Sequence, residues 1–390
     1  MTTAATAPTV WDELVGQRPA IKVLRRAAAG DGMTHSWLFV GPPGSGRSNA
    51  ALAFAAALQC ETGTGCGTCH ACHTVRAGSH ADVTLVRTER LTIGVDGVRD
   101  LVRRAALSPN GPKWQVIVIE DADRLTEQAN NALLKAIEEP NPRTVWLLCA
   151  PTTEDLLPTI RSRCRLVTLT TPPDRDVADF LIRVHGIPEA LAAHAARASQ
   201  GHIGRARALA TDEATRNRRQ EVVRLAARLR SVGACMTAAA NIHQIAKDEA
   251  EALTTERDAR EKARLDVEFG VEQRGRKPRE YASALSALEK DQKARAKRQV
   301  LDVVDRSLLD LVSIYRDAIA VGLRTPAVLV NEELRSDVEE IARAATPERL
   351  LQMIDAIFTA REQMLEFNVQ PQLALESMAV ALRLEGRGTR

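Results

Sequence analysis

The segment Gly41–Ser48, with the sequence GPPGSGRS, is the feature that most constrains how this chain can fold. It follows the apolar run SWLFV and precedes an alanine-rich run, which is the pattern of strand, glycine-rich turn and helix. Gly41, Gly44 and Gly46 let backbone N–H groups converge on a phosphate, and the first turn of the following helix adds its positive end. The sequence therefore predicts a phosphate-binding loop.

This loop departs from the usual pattern at one position, because Arg47 stands where lysine is expected. Ser48 offers a hydroxyl that would bind Mg²⁺. Arginine keeps the positive charge, but its planar guanidinium cannot place a compact ammonium between two phosphates. We therefore expect that ATP or ADP with Mg²⁺ can bind here. The sequence leaves open whether the nucleotide is hydrolysed, only bound, or absent.

Two further apolar runs, WQVIVI and TVWLLCA, indicate strands near residues 114–119 and 144–150. Between them, Thr126 is placed to cap a helix that ends before Pro140. Strands that alternate with helices predict a parallel sheet covered by helices on both faces. Beyond Pro173 the patterns are helical to the end of the chain. The predicted fold class is thus an α/β P-loop domain followed by helical domains.

An acidic pair, Glu120 and Asp121, directly follows the second apolar run. Nucleotide-hydrolysing P-loop proteins usually carry aspartate and then glutamate here, where the first holds Mg²⁺ and the second polarises water. In the reversed order, Asp121 is one methylene too short to act as that base. Either acid can still help to hold a metal. The alternative is a plain acid pair at a strand end.

Four of the seven cysteines lie within thirteen residues, at Cys60, Cys66, Cys69 and Cys72. Four soft ligands close a tetrahedral site, and the glycines among them permit the tight turns that bring the thiols together. The spacing predicts a structural zinc site, with free thiols or a redox pair as alternatives. The other three cysteines are expected to be buried apolar residues, namely Cys149, Cys164 and Cys235.

Composition excludes some classes of function. The formal net charge is +3 and aromatic residues make up 3%, which gives no general basis for nucleic-acid binding. There is no apolar run of membrane-spanning length and no secretory signal, so the sequence predicts a cytoplasmic protein without membrane contacts. The mixed-charge stretch at about 247–298 is interpreted as a solvated helical hairpin or partly disordered insert. A nucleic-acid arm is the alternative.

Several motifs together resemble the AAA+ clamp-loader subunits of bacterial DNA polymerase III, and within them the delta-prime type. The motifs are the phosphate loop, the cysteine cluster, LVGQ at 14–17, NALLKAIEEP, TIRSRC, GHIGRARAL and NVQPQLALE. The resemblance covers residues 10–210 most fully. It implies an AAA+ base domain at 1–170 with a zinc module, a helical lid at 171–215, and a helical collar at 216–390 that contains the charged insertion.

The resemblance also implies a function. In this family, Arg163 of TIRSRC would act as an arginine finger in the ATP site of a neighbouring subunit, and Arg205 matches the second sensor of the lid. Arg47, the Glu120–Asp121 order and Ala150 in place of a sensor threonine favour a non-motor stator with weak or no ATPase activity. The alternatives are an autonomous ATPase, either a gamma/tau-like motor or another AAA+ enzyme, and a zinc-dependent nucleic-acid-binding module. Implied partners are gamma/tau and delta subunits in a hetero-oligomeric ring, the sliding clamp, and primed DNA.

Overall fold

A computed structural model describes residues 9–88, 92–271 and 279–384. The chain separates into two compact units, Met1–Thr211 and Asp212–Arg390. The predicted base and lid thus fall largely within one unit, and their division into separate domains near residue 170 stays a prediction. Within the described ranges, none of the helices is both long enough and apolar enough to cross a bilayer.

The first unit is built on five parallel strands in the order β2-β3-β4-β1-β5. Their bounds are β1 Ser36–Val40, β2 Val83–Val86, β3 Gln115–Ile119, β4 Thr144–Ala150 and β5 Arg165–Thr168. Every residue of β1, β3 and β4 is buried, as expected for central parallel strands whose two faces are both covered. The α/β prediction is confirmed.

Helices cover both faces of this sheet. They are α1 Arg18–Ala28, α2 Arg47–Gln59, α3 His70–Arg76, α4 Val95–Ala105, α5 Glu127–Glu138 and α6 Pro158–Arg161. One core cluster joins α1 and α2 to alternate strand residues such as Trp37 and Phe39, and a second joins α4 and α5 to the intervening residues such as Leu38. The Thr126 hydroxyl accepts a 3.3 Å bond from the Ala129 N–H, which confirms the predicted N-cap of α5.

Three short helices complete the first unit: α7 Asp174–His185, α8 Glu189–Ser199 and α9 Ile203–Thr211. Their buried faces form a small cluster of their own, which Val15 joins from the N-terminal segment. Gly186 ends α7 in the left-handed conformation, with φ of 65°. No strand follows β5 in the described residues, in agreement with the sequence.

The second unit is helical. Its helices are α10 Glu213–Arg228, α11 Val232–Glu268, α12 Arg279–Gly322, α13 Arg335–Ala344, α14 Pro347–Leu365 and α15 Pro371–Ala381. They share one hydrophobic core, in which Ile242, Tyr315, Ile357 and Leu375 are almost fully buried. The predicted all-helical region is confirmed for the described residues.

The charged stretch forms an antiparallel pair from the ends of α11 and α12. Arg295 is only 6% exposed at its side chain and bonds Asp258 at 2.5 Å and Glu261 at 3.0 Å across the pair. The hydrogen bonds from Arg295 lower the pKa of Glu261 to about 2. The helical-hairpin interpretation is therefore confirmed where the structure describes it. Residues 272–278 of the charged stretch lie outside the described residues.

Candidate functional site

The glycine-rich loop joins β1 to α2 at the carboxyl edge of the sheet. Gly44 and Gly46 have φ of 84° and 91°, a conformation that other residues rarely adopt. Gly46 is the N-cap of α2, so Arg47 and Ser48 lie in its first turn, where backbone N–H groups lack intrahelical acceptors. The predicted strand, loop and helix are confirmed, whereas phosphate binding by this loop stays a prediction.

Two side chains from elsewhere in the unit fix the loop. The buried Gln17 amide donates to the carbonyls of Ser45 at 3.2 Å and Thr170 at 2.7 Å. His202, at the start of α9, lies so close to Gly44 that a methyl group there would overlap its ring. Position 44 therefore requires glycine for packing as well as for backbone conformation. No sequence pattern predicts the contact with His202, because it joins distant segments.

The glycine-rich loop follows β1 and the acidic pair follows β3, the two strands that flank β4. Burial, followed by the negative charge of Glu120, raises the pKa of Cys149 at the end of β4, and Arg47 and Asp121 act on the same thiol. Glu120 is ion-paired with Arg87 at 2.8 Å. The structure thus brings Arg47, Glu120 and Asp121 to the carboxyl edge of the sheet, where ligands of open parallel sheets bind.

Two features of this edge were missed from the sequence. Asp123 is a third acid there, and burial raises its pKa. The Nη1 atom of Arg47 is buried and has no hydrogen-bond partner within the described part of the chain. An orphaned cationic donor of this kind is what a bound phosphate would satisfy, so the loop residues fit such a group. The run EDAD at 120–123 was the available signal for Asp123.

Arg163 lies at the opposite edge of the sheet. It precedes β5, and its carbonyl accepts a 2.6 Å bond from the hydroxyl of Ser36, the first residue of β1. The loop follows the last residue of β1, so the five residues of that strand, roughly 16 Å, separate the two features. The structure therefore does not bring Arg163 together with the chain's own phosphate loop.

The guanidinium of Arg163 is held by three acceptors. Nη1 donates to the Thr159 carbonyl at 2.8 Å and to the Ser162 hydroxyl at 3.2 Å, and Nη2 lies 2.7 Å from Glu138 Oε1. Glu138 is the last residue of α5, and the Arg163 side chain remains 39% exposed. Glu138 was not singled out from the sequence. Its pairing with Arg163 depends on how α5 and the loop before β5 pack.

Arg205 lies in the first turn of α9 and is half-buried. Its backbone N–H donates to His202 Nδ1 at 3.2 Å, which places this turn beside the residue that contacts Gly44. The predicted role of its side chain as a sensor of bound nucleotide stays a prediction.

The four cysteines of the predicted zinc module converge. Cys60 caps the end of α2, Cys69 caps the start of α3, Cys72 lies within α3, and Cys66 lies in the loop between the two helices. All four Sγ atoms lie within 4.8 Å of one another, and the distances from Cys60 Sγ to those of Cys66 and Cys69 are 3.7 and 3.9 Å. These are non-bonded distances, far longer than a disulfide.

This cluster fits a tetrahedral metal site. Bonds of about 2.3 Å from zinc to sulfur place the sulfurs about 3.8 Å apart. The backbone N–H groups of Cys66, Cys69 and Cys72 each donate to a cluster sulfur, at 3.4 to 3.5 Å. No histidine or carboxylate belongs to the group among the residues the structure describes. Four ligands leave no open position, which is the arrangement of a structural site.

The protonation of the cluster also favours a cation. Burial opposes ionisation of Cys60, but hydrogen bonds from Thr62 and Cys66 outweigh it and lower its pKa to about 5. Burial raises the pKa of Cys72. Four thiolates this close would repel one another, so a divalent cation is required for all four to ionise. Outside the cluster, Cys149 and Cys235 are buried as expected, whereas Cys164 is only half-buried.

The fold and loop together define the class of protein. A parallel sheet with a glycine-rich loop after its first strand, followed by a small helical cluster, is an α/β P-loop architecture of the AAA+ type. A family model described as DNA polymerase III, delta subunit, matches residues 16–173, and its C-terminal counterpart matches residues 260–383. The chain belongs to this DNA polymerase III delta-subunit family.

Similar proteins carry related names. The chain is 35% identical over 180 residues to "DNA polymerase III subunit delta'" of Escherichia coli, covering 45% of this chain and 54% of that protein. It is 39% identical over 150 residues to its namesake in Haemophilus influenzae, covering 38% and 46%. With "DNA polymerase III subunit gamma/tau" of Mycobacterium tuberculosis it shares 30% over 181 residues, covering 45% and 31%. The matches thus span about half or less of these relatives.

Among solved structures, a DNA polymerase III gamma subunit-related protein from Thermotoga maritima aligns with a TM-score of 0.41 and 16% identity. The alignment covers 93% of this chain and 98% of that one.

Proposed function

We propose that this chain is a stator-type, delta-prime-like subunit of a DNA polymerase III clamp loader, and that it contributes Arg163 to the ATP site of a neighbouring subunit. The observation that carries the proposal is the position of Arg163 at the sheet edge opposite its own phosphate loop. An arginine finger acting in trans stabilises the charge that develops on the transferred phosphoryl group. Its planar fork suits phosphate oxygens better than lysine would.

The chain's own loop supports the same function. Arg47 and Ser48 would hold the phosphates and Mg²⁺ of a bound ATP or ADP, and Mg²⁺ would neutralise phosphate charge there. The carboxylate of Glu120 is engaged by Arg87 at 2.8 Å, and Asp121 is shorter than the usual base. Neither acid is well placed to activate water, so we infer weak or no hydrolysis by this subunit alone.

A direct test is ATP turnover by the purified chain. We expect turnover no higher than that of an Arg47→Ala variant, because the loop lacks its lysine and its base. Brisk hydrolysis that Arg47→Ala abolishes would instead establish the second candidate function, a gamma/tau-like motor. The similarity to gamma/tau relatives is the observation that favours this candidate. Tight, salt-sensitive DNA binding by the isolated chain would favour a nucleic-acid-binding module instead.

The proposed partners are gamma/tau and delta subunits in a hetero-oligomeric ring, which would act on the sliding clamp and primed DNA in the cytoplasm. The second unit, as a helical collar, would be the part that assembles. Affinity purification of the full chain tests this assignment: we expect the other clamp-loader subunits to be recovered with it in fixed ratio. Recovery without any of them would contradict the proposal.

A prediction concerns Glu138, which holds the finger. Replacing Glu138 with Gln should lower ATP turnover at the neighbour's site by about three- to fivefold, the effect expected of one exposed ion pair. The reason is that the glutamine amide oxygen still accepts a hydrogen bond but carries no charge, so the guanidinium is held more weakly and must be ordered at each catalytic event. The measurement is single-turnover hydrolysis by the reconstituted assembly.

The adjacent Glu139 provides a matched control, since it is exposed and the same substitution changes the same charge. Glu139→Gln should leave turnover unchanged. In an Arg163→Ala background, Glu138→Gln should have no further effect, whereas a merely structural role would reduce activity again. Faster turnover in Glu138→Gln would mean that the pair restrains the finger, contrary to this prediction.

A further inference from the structure

The outward face of α14 carries a regular alternation of acidic and apolar side chains. Its members, which we call the α14 seam, are Glu348, Leu351, Asp355, Phe358, Glu362 and Leu365. They are three and four residues apart in turn, so they lie on one side of the helix. All six are exposed, and the three apolar ones are 54%, 43% and 52% accessible. The other side of α14 is buried in the helical core.

Spacing of three and four residues is that of the a and d positions of a heptad. Such a row faces a single partner helix along its length. An exposed leucine alone is ordinary, but here an apolar residue recurs every seven positions along a 19-residue helix, roughly 28 Å long. This regularity indicates that a second helix covers the seam.

Contacts within the chain hold the centre of the seam in place. The guanidinium of Arg361 lies 5.5 Å from the centroid of the Phe358 ring. Arg361 is itself fixed by Asp305, with bonds of 2.6 and 3.1 Å to the two carboxylate oxygens. Because Asp305 neutralises Arg361, the seam keeps its negative character. Its three acids form no ion pair with any residue in the described ranges.

The charge pattern selects the partner. In a parallel pair, a second copy of this chain would set acids against acids, which is destabilising. In an antiparallel pair it would bury carboxylates against leucine and phenylalanine, which costs desolvation free energy without a compensating partner. We propose that the α14 seam docks a helix of another polypeptide that carries lysine or arginine and apolar residues in the same alternation. This proposal goes beyond the function of Arg163 and does not depend on it.

The experiment uses the full chain and two synthetic three-heptad helices that share leucine at d and carry either lysine or glutamate at a. Fluorescence anisotropy should show the lysine peptide binding about tenfold more tightly, with a preference that salt weakens. In the double variant Asp355→Lys with Glu362→Lys the preference should reverse. Glu348 is left intact because it lies in the first turn of α14, where an acid stabilises the helix.

A matched control reverses two exposed acids of α11, Glu251→Lys with Glu268→Lys, and should retain the original preference. Phe358→Ser should weaken the lysine peptide by about tenfold without lowering the melting temperature appreciably, since the ring is 43% exposed. Equal binding of both peptides, or the same reversal in the α11 control, would overturn the proposal. So would a dimer of the full chain that Phe358→Ser dissociates, because a second copy would then occupy the seam.

Discussion

Replacing Arg163 with Ala should lower ATP hydrolysis at the neighbouring site by about three orders of magnitude, while the chain still folds and assembles. Loss of an arginine finger commonly has an effect of this size, because it removes charge stabilisation that exists mainly in the transition state. The side chain is 39% exposed and its one ion pair lies at the surface, so unfolding free energy should change by less than about 1 kcal/mol.

The measurement requires that a single site be observed. Other ATPase subunits in the assembly should therefore carry inactive phosphate loops, so that single-turnover hydrolysis reports the site that Arg163 serves. Arg163→Lys should restore only part of the activity, since lysine keeps the charge but not the planar fork. Arg161→Ala is the control, because Arg161 is an exposed arginine of α6 two positions away. Normal turnover in Arg163→Ala, or an equal loss in Arg161→Ala, would refute the assignment.

This prediction rests on a distance that no motif reveals. The sequence identified Arg163 as a candidate, but a surface arginine beside its own nucleotide would act in cis. Only the pairing of β1 with β5, and the bond from Ser36 to the Arg163 carbonyl, place it at the far edge of the sheet. Its contact with Glu138 was likewise unpredictable, because the ends of α5 and α6 meet only in the folded unit.

The burial of each strand explains whether it was predicted from the sequence. β1, β3 and β4 are buried on both faces and read as continuous apolar runs. The edge strands β2 and β5 were not predicted as strands, because each is four residues long and partly exposed. Their sequences carry no continuous apolar signal, and pairing with a neighbouring strand determines their conformation. By contrast, the N-cap at Thr126 and the convergence of the four cysteines were predicted correctly, because both depend on residues close together in the sequence.

We propose that the cysteine cluster binds a structural zinc ion, so removal of that metal should destabilise the first unit by several kcal/mol and leave chemical steps untouched in the protein that stays folded. Structural zinc contributes about 10–16 kcal/mol of binding free energy in small zinc-finger peptides, and part of that is folding free energy. Here the cluster links the end of α2 to α3. In the loop between these helices, the Thr64 carbonyl accepts a hydrogen bond from the Trp11 indole N–H. Loss of the metal should therefore loosen the N-terminal segment as well.

Cys69→Ser tests this without a chelator, because serine preserves size but is a poor zinc ligand. We expect about one zinc per wild-type chain by mass spectrometry, much less in Cys69→Ser, and a clearly lower melting temperature for the variant. Cys164→Ala removes a half-buried cysteine outside the cluster and should retain the metal. Proteolysis should then cut first between α2 and α3 in the metal-free protein, since no shared cation joins the four sulfurs there. Unchanged melting and an uncut loop after complete metal removal would show that hydrogen bonds between N–H groups and sulfur suffice to hold the cluster.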